Sequence, residues 1–370
     1  MAKSSRPRRS QAQHPDGQGS TRPRPKRSAA PKPAKRRAEA AASKRAQSSS
    51  RAAGRRRAAE RAEKATLLHL EEIVAERIVG KGEEVARVAN TIRIRKAQLD
   101  FRPNRPDGAF LLVGPAGVGK TEFALAFGAA LLGSEEKLLL LDMADYSEEE
   151  ELAGLQVNLL AGTPELLVAG DLTTPVRRNP RAVILLRGLE HAHRNFYRTL
   201  LHILDRGQLE DAQGPVPFDQ TVIFATTRLH PDETEMVEPI GFHRDSLSSH
   251  ERARRVLEEQ FTPELVAAFN EVLHFQHPTP EDVRLIARSK VRRVLERLAR
   301  QRRQVEVAEP VYDALLGAAE VSRAGARYLN RALEEQLFTP LARFMLEHGG
   351  VRRIQVGIEA GRLTIRQRSR

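Results

Sequence analysis

Residues 108–132, GAFLLVGPAGVGKTEFALAFGAALL, decide the fold of this chain. The apolar run Phe110–Val113 is typical of a buried strand, and the apolar residues that follow the glycines predict a helix. The residues between them fit the pattern G-x-x-x-x-G-K-[ST] at every fixed position; they are Gly114, Pro115, Ala116, Gly117, Val118, Gly119, Lys120 and Thr121. The stretch therefore predicts a strand, a phosphate-binding loop and a helix, in that order.

The chemistry of this loop indicates a nucleotide. Its glycines let backbone amides wrap phosphate groups at the positive end of the following helix. Lys120 is expected to reach the β- and γ-phosphates, and the Thr121 hydroxyl to face a Mg²⁺ ion if one is bound. We therefore expect the chain to bind ATP or ADP.

Three further apolar runs indicate strands of the same sheet: KLLLLDMADY at 137–146, PRAVILLRGLE at 180–190 and QTVIFATTR at 220–228. Because these runs are continuous and helical segments separate them, they predict a parallel sheet covered on both faces. From residue 279 the pattern becomes mainly helical, and residues 351–366 alternate like a two-stranded hairpin. The predicted fold is an α/β domain at 65–278 followed by a smaller, mainly helical domain at 279–370.

The first 64 residues differ sharply from the rest. They carry 20 basic and 4 acidic side chains, a net charge of +16, whereas residues 65–370 carry a net charge of −3. They contain no Ile, Leu, Val, Phe, Tyr or Trp, so they cannot bury enough apolar surface to offset the entropy of ordering. We expect a disordered polybasic tail, which either binds nucleic acid or another polyanion or acts only as a solvated arm.

Composition excludes several classes of site. The chain has no cysteine, which rules out disulfides, thiol nucleophiles and zinc–cysteine sites. No apolar run approaches the ~18 residues of a transmembrane helix. The eleven histidines show no metal-binding spacing. These features predict a cytoplasmic protein with no membrane contact.

Beyond the phosphate loop, several segments resemble the C-terminal AAA+ module of the Clp unfoldases. They include ERIVGKGEEV, LLLLDMADY, PRAVILLRGLEHAH, FDQTVIFATT, FTPELVAAFNEVLHF and GARYLNRALEEQLFTPLA. The resemblance implies a P-loop α/β domain, a helical lid domain and a homo- or hetero-oligomeric ring. It also implies that Ile78, Val79 and Gly80 border the adenine, and that Arg327 reaches the γ-phosphate from the lid.

The chain departs from that family in four functional features: the Asp-Glu pair, the Asn that positions water, the arginine finger and the pore-loop aromatic. Arg187 and Gly188 stand where the family has the Asp that helps hold Mg²⁺ and the Glu that activates water. Arg228 replaces the water-positioning Asn, and Ala268 replaces the arginine finger. The aromatic residue of the family's pore loop falls near Thr163. An Arg cannot ligate a metal as a carboxylate does, and Gly offers no base, so Mg²⁺ binding is doubtful and hydrolysis is expected to be weak or absent.

Other groups near these positions leave alternatives open. Glu190 is a candidate substitute base, and Asp142 ends the neighbouring strand and is a candidate metal ligand. The Arg187 guanidinium either donates to phosphate oxygens in place of the metal, turns to solvent, or pairs with Glu190.

A polar segment between the fourth strand and FTPEL contains Ile240, Gly241 and Phe242. In Clp unfoldases that work with the ClpP peptidase, a hydrophobic-Gly-hydrophobic tripeptide at this point docks into the peptidase. An apolar anchor on a polar loop suits a partner pocket. The alternative is a loop folded back onto its own domain.

Three functions remain open on the sequence. The first is a Clp-like, chaperone-related ATP-binding protein with weak or no hydrolysis and a regulatory or scaffolding role in protein quality control. The second is an active ATP-dependent unfoldase that feeds a peptidase. The third is a nucleic-acid-associated AAA+ switch tethered by its basic tail.

Overall fold

The computed structural model describes residues 60–156, 158–160, 163–229, 249–316, 328–360 and 362–367, together with the single positions 54 and 58. The described residues from Arg61 onward belong to one compact unit. None of the described helices is long and apolar enough to cross a membrane.

The first secondary structure is helical and begins earlier than the sequence predicts. Residues 61–68 are helical, although 61–64 fall in the segment that we expect to be disordered. Glu63 explains the extension, because its carboxylate accepts a hydrogen bond of 2.6 Å from Arg181 and lies 3.5 Å from the Lys96 ammonium. The helices that follow are α1 (Leu70–Ala75) and α2 (Gly82–Lys96).

The central sheet has five parallel strands: β1 (Gly108–Val113), β2 (Leu139–Asp142), β5 (Val183–Arg187), β8 (Val222–Thr227) and β9 (Glu271–His274). Their order is β2-β5-β8-β1-β9. The four strands predicted from apolar runs are all present and parallel, which confirms the α/β prediction. The fifth, β9, was missed because only Val272 and Leu273 of its four residues are apolar.

Connecting elements surround this sheet. The helices are α3 (Lys120–Leu132), α4 (Glu149–Leu152), α5 (Thr173–Arg178), α6 (Arg194–Arg206), α7 (Ser249–Phe261) and α8 (Pro263–Ala268). Two antiparallel ribbons also lie in these connections, one formed by β3 (Asn158–Leu160) and β4 (Thr163–Val168) and one by β6 (Gln208–Asp211) and β7 (Gly214–Pro217).

Both faces of the sheet are buried, as the continuous apolar runs require. In β1, Phe110 and Leu112 join a core that includes Phe123 and Phe127 of α3. Leu111 belongs to a second core, on the other face. This two-sided burial fixes β1 rigidly, and the loop that follows it therefore starts from a rigid support.

The C-terminal part has its own core. It contains α9 (Pro280–Arg300), β10 (Gln304–Val307), α10 (Glu309–Leu316), helical residues 328–347 that include a π-turn at Glu334–Phe338 and α11 (Thr339–Glu347), and the strands β11 (Arg353–Glu359) and β12 (Arg362–Gln367). The predicted hairpin is present as β11 and β12. It also pairs with β10, in parallel, which makes a three-stranded sheet. Buried side chains of α9, α10 and β11 form one apolar cluster.

Candidate nucleotide site

The phosphate loop connects β1 to α3 through backbone that requires glycine. Gly114, Gly117 and Gly119 have φ angles of 146°, 81° and 100°. At Gly114 there is also no room for a side chain, because an added Cβ would lie 2.1 Å from the carbonyl oxygen of Phe275 on the adjacent strand segment. Gly119 caps the 13-residue helix α3. The loop therefore presents its amides at a helix N-terminus, which is a favourable arrangement for an anion.

Lys120 is held inside this loop. Its side chain is buried, and its ammonium group donates hydrogen bonds to the carbonyl oxygens of Gly114 and of Pro115, the latter at 2.7 Å. A buried cation at the first residue of α3 adds positive charge to the positive end of the helix. Thr121, the second helical residue, is half-buried beside it. The glycines, Lys120 and Thr121 of the pattern thus lie together at the N-terminus of α3, and their binding of phosphate stays a prediction.

The segment Ile78–Gly80 lies close to this loop, between α1 and α2. Ile78 and Val118 pack against the same apolar core. Gly80 has a φ of 73°, and the Asp282 carboxylate of α9 lies so close that an added Cβ at Gly80 would be 2.4 Å from its Oδ1. The structure therefore brings together three segments distant in sequence, but whether Ile78, Val79 and Gly80 border an adenine stays a prediction.

A charged cluster joins these same segments, and sequence reasoning missed it. Arg77 donates a hydrogen bond of 2.8 Å to Glu122, the residue after Thr121, and lies 2.7 Å from Glu135. Arg293 of α9 lies 3.4 Å from the same Glu122 carboxylate. The cluster thus connects α3 with the segment before Ile78 and with the C-terminal part of the chain. In the sequence, the only sign of this cluster was the acidic Glu122 directly after the phosphate-loop pattern.

The ionisation of this cluster reflects its partial burial. Burial raises the pKa of Glu122, but the Arg77 hydrogen bond and the charges of Arg77, Lys290 and Arg293 outweigh that effect, and the pKa is lowered. Desolvation lowers the pKa of Lys290, and the neighbouring cations Arg293 and Arg77 lower it further, against the opposing charge of Glu122. Glu122 is therefore the anionic centre on which three cations converge.

At the carboxyl edge of the sheet, Arg187 is paired with Asp142. Arg187 ends β5 and Asp142 ends β2, and the two residues are register partners. The Arg187 Nε donates to Asp142 Oδ2 at 3.1 Å, and a second guanidinium nitrogen donates to the same oxygen. The hydrogen bond from Arg187 lowers the pKa of Asp142 below its ordinary value. Of the alternatives left open by the sequence, neither pairing with Glu190 nor an unpaired side chain describes this structure.

Gly188 adopts a left-handed conformation, with a φ of 71°. Its amide donates a hydrogen bond of 3.1 Å to the Thr226 hydroxyl of β8. A side chain at this position would be strained by the backbone, and its Cβ would contact His191 at 3.0 Å. The backbone here is therefore shaped for glycine, which offers no general base.

Glu190, the candidate substitute base, is turned toward β8. One carboxylate oxygen accepts a hydrogen bond of 3.1 Å from the amide of Arg228, and the other is buried with no hydrogen-bond partner. The His191 imidazole lies 3.7 Å from the first oxygen. Glu190 therefore serves as a connection between β5 and β8, and the described geometry does not direct it at a water molecule.

The two remaining altered positions differ in exposure. Arg228 follows β8 and is exposed. Ala268 ends α8 and is buried in the core beside Phe269, so it presents no cation to a neighbouring molecule. Among the predicted site residues, Arg327, Ile240, Gly241 and Phe242 lie outside the described residues. Thr163 begins β4, the second strand of the β3–β4 ribbon.

The described residues fit a magnesium ion poorly. No group of three or more His, Asp or Glu side chains suited to a metal ion is present among them. The two acidic side chains at the carboxyl edge, Asp142 and Glu190, are engaged by Arg187 and by a backbone amide. Thr121, the predicted ligand, is the second residue of α3, and its role toward a metal ion stays a prediction. A guanidinium group cannot substitute as a metal ligand.

Comparison with known proteins gives two family matches. Residues 105–272 match the family described as AAA domain (Cdc48 subfamily), and residues 279–356 match the C-terminal, D2-small domain, of ClpB protein. The two matches fall on either side of residue 278, where the sequence predicts a domain boundary.

Curated relatives are chaperones. The chain is 36% identical over 285 residues to the chaperone protein ClpB of Meiothermus ruber, which covers 77% of this chain and 33% of the relative. It is 35% identical over 293 residues to the chaperone protein ClpB of Staphylococcus aureus strain COL, covering 78% of this chain and 33% of that relative. The chain thus spans about a third of the length of the curated relatives it matches.

A solved structure supports the same fold. A closed-state reconstruction of Hsp104 with ATPγS and FITC casein superimposes with a TM-score of 0.69 at 21% sequence identity. The superposition covers 82% of this chain and 52% of the Hsp104 chain. At this identity the likeness concerns the fold.

Proposed function

Since the chain belongs to the Clp family of AAA+ proteins, we propose that it binds ATP or ADP through Gly114–Thr121 and hydrolyses ATP weakly or not at all. Its role would be regulatory or scaffolding, in protein quality control. The observation that carries this proposal is the contrast between a glycine-shaped phosphate loop around Lys120 and an Arg187–Asp142 pair at the opposite side of the site. The helical residues from 279 onward would act as the lid over the nucleotide.

The rate contributions of the replaced residues support slow ATP hydrolysis. An arginine finger is worth about 10³–10⁵ in rate where one has been removed, and the residue at that position is the buried Ala268. Loss of a general base costs typically 10²–10⁴, and Gly188 has no side chain to replace one. Because these contributions act on the same step, losing them together leaves little rate enhancement beyond that of binding.

The test is a paired measurement on one preparation of the full chain. ATP and ADP affinities are measured by calorimetry, and phosphate release is measured at saturating ATP with Mg²⁺. The proposal expects binding that is lost in Lys120→Ala, with turnover at or near the background rate. Turnover on the order of 1 s⁻¹ or faster, the usual lower range for enzymes, would contradict the proposal.

Restoring the family residues is a less decisive experiment. Arg187→Asp together with Gly188→Glu would supply a carboxylate and a base by sequence. However, Gly188 has a positive φ, and a non-glycine residue there costs roughly 1–2 kcal/mol. A gain of hydrolysis would indicate that the site lacks activity only because these catalytic residues are replaced. Failure to gain hydrolysis would be explained by the strained backbone at residue 188.

An active unfoldase that feeds a ClpP-type peptidase is the second candidate. It is favoured by the relatives, which are chaperones, and by the Ile240-Gly241-Phe242 tripeptide. Its test is association with a ClpP-type peptidase, which Phe242→Ala would weaken. Unchanged co-purification would count against docking by this tripeptide.

We also propose that the chain assembles with copies of itself or with related chains, in a ring. An exposed apolar surface supports a protein contact: Ile94, Leu99 and Phe101 are exposed together at the end of α2, where Ile94 and Phe101 line a cavity of about 300 Å³. Contiguous exposed apolar residues of this kind mark interaction sites. Sedimentation with and without ATP tests the assembly.

A nucleic-acid-associated switch is the third candidate. It rests on the net charge of +16 in residues 1–64. Binding through such a tail would be weakly sequence-specific and would fall steeply with salt. Deleting residues 1–59 removes the whole net charge of +16 and keeps the helical residues 61–68. DNA affinity that is unaffected by this deletion would contradict a role of the tail in DNA binding.

A further inference from the structure

The carboxyl ends of four strands place Arg187 between an acidic residue and the phosphate loop. Strand register aligns Asp142 with Arg187, Arg187 with Thr226, and Thr226 with Leu112, which precedes the loop by two residues. Neighbouring strands lie about 4.8 Å apart. The Arg187 backbone is therefore roughly 5 Å from that of Asp142 on one side and roughly 10 Å from β1 on the other.

An arginine side chain is long enough to reach in either direction from this position. In the structure it turns outward, to Asp142 on the edge strand. The Arg187 side chain is 49% exposed, so core packing does not hold it there. A pair this exposed contributes only about 0–1 kcal/mol, and a nucleotide phosphate can therefore compete for the guanidinium.

The second question is whether a nucleotide phosphate bound at the loop would come within reach of Arg187. In parallel α/β sheets, ligands bind beyond the carboxyl ends of the strands. β8 and β5 lie next to β1 in the sheet, so a triphosphate bound at the glycine loop and extending along this edge would bring its terminal phosphate toward Arg187. Guanidinium groups bind phosphate oxygens with two parallel hydrogen bonds, which a carboxylate at this position would not do.

We propose that Arg187 is a nucleotide-operated latch: a nucleoside triphosphate draws the Arg187 guanidinium from Asp142 to the terminal phosphate, and the guanidinium supplies the positive charge that a divalent cation would otherwise bring. The inference rests on the proposed nucleotide binding and deepens it. It makes triphosphate binding independent of metal, and it makes release of Asp142 a consequence of binding.

The first test measures ATP and ADP affinity by calorimetry in EDTA and in Mg²⁺, for the wild-type chain and Arg187→Ala. Wild-type ATP affinity is expected to be similar in both buffers. Arg187→Ala is expected to weaken metal-free ATP binding about tenfold to a hundredfold, the range for hydrogen bonds to charged groups, and to leave ADP binding nearly unchanged. Arg187→Lys should recover part of the loss, because it keeps the charge but not the paired hydrogen bonds.

The matched control is Arg178→Ala. Arg178 is an exposed arginine that precedes the amino end of the same strand, at the opposite edge of the sheet. Its replacement is expected to leave ATP affinity unchanged. An equal loss in both variants would point to bulk charge and would overturn the assignment of Arg187.

The second test removes the competing partner. Asp142→Asn frees Arg187 and is expected to strengthen metal-free ATP binding roughly two- to fivefold, the value of an exposed ion pair. A purely structural Arg187–Asp142 pair would give unchanged or weaker binding, which would contradict the latch.

Failure of the latch is distinguishable from failure of nucleotide binding. ATP binding that requires Mg²⁺ strictly, or that is insensitive to Arg187→Ala while Lys120→Ala abolishes it, overturns the latch and leaves the nucleotide site intact. If neither ATP nor ADP binds in either buffer, both proposals fail.

Discussion

The phosphate loop is shaped by its backbone, whereas the carboxyl end of β5 is defined by an ion pair between two side chains, Arg187 and Asp142. The loop depends on three glycines with positive φ and on a carbonyl contact from Phe275, so its shape is set by packing. The Arg187–Asp142 pair depends on a contact between two mobile side-chain types, one of them half exposed. The two parts of the proposed site, the phosphate loop and the Arg187–Asp142 pair, are therefore held by different physical means, and a substitution in one need not disturb the other.

The largest effect on stability and ATP binding is expected from a substitution in the phosphate loop. Gly114→Ala places a Cβ 2.1 Å from the Phe275 carbonyl oxygen at a φ of 146°, so loop or strand must shift. We expect a loss of about 3 kcal/mol in the free energy of unfolding, from strain and overpacking together, and loss of ATP binding. Chemical denaturation measures the first and calorimetry the second.

Gly133→Ala is the matched control for this prediction. Gly133 also has a positive φ, 74°, but nothing lies within 4 Å of an added Cβ. It should cost only about 1 kcal/mol and leave ATP affinity unchanged. Equal destabilisation in the two variants would show that φ alone matters and that the Phe275 contact does not.

Lys120→Ala tests the charge held within the loop. We expect ATP binding to be lost from the measurable range, a fall in affinity of about a hundredfold or more, because the variant lacks the buried ammonium that would hydrogen-bond the phosphates. Lys137→Ala, an exposed lysine after the same helix, is the control and should bind normally. If Lys120→Ala binds as tightly as the wild type while Arg187→Ala does not, the roles assigned to the two parts would be reversed.

Glu122→Gln tests the charged cluster that Glu122 forms with Arg77, Arg293 and Lys290, next to the phosphate loop. Removing the carboxylate leaves Arg77, Arg293 and Lys290 without their common anion. We expect a loss of about 1–2 kcal/mol in the free energy of unfolding at pH 7, since the group is only partly buried.

The pH dependence gives this prediction a second readout. The folded-state pKa of Glu122 is lowered, so its contribution is fully present above the ordinary value of 4.5 and is lost as the pH falls through the lowered pKa. The difference between wild type and Glu122→Gln should therefore narrow as the pH is lowered below about 4. A difference that is constant with pH would indicate a packing effect.

The smallest effect on stability is expected from a substitution beside Gly188, at the carboxyl end of β5. Thr226→Val removes the acceptor for the Gly188 amide while preserving the shape of a buried side chain. We expect about 1 kcal/mol of destabilisation and no change in ATP affinity, because this contact shapes the β5 turn and not the phosphate loop. A large loss of ATP affinity would show that the two parts are mechanically coupled, and the comparison would then fail.

Sequence reasoning predicted the parallel sheet, the strand–glycine loop–helix unit and the C-terminal hairpin correctly because each has a strong local signal. It missed β9 and β10, which are four-residue strands with few apolar residues, and whose pairing depends on neighbours distant in the chain. It also missed the cluster at Glu122, since its three cations come from segments more than 40 residues away on either side.

The sequence shows that an arginine, Arg187, follows the third apolar run, but it does not show that Arg187 pairs with Asp142. The pattern at Gly114–Thr121 by itself predicts a glycine loop that opens a helix, because glycine conformations and a helix N-terminus are local properties of the chain. Only the tertiary structure decides that Arg187 turns to Asp142 and that Glu190 turns to the Arg228 amide. Strand order and register bring those groups within hydrogen-bond distance, and no local property of the sequence specifies which of several neighbours an arginine or a glutamate will choose.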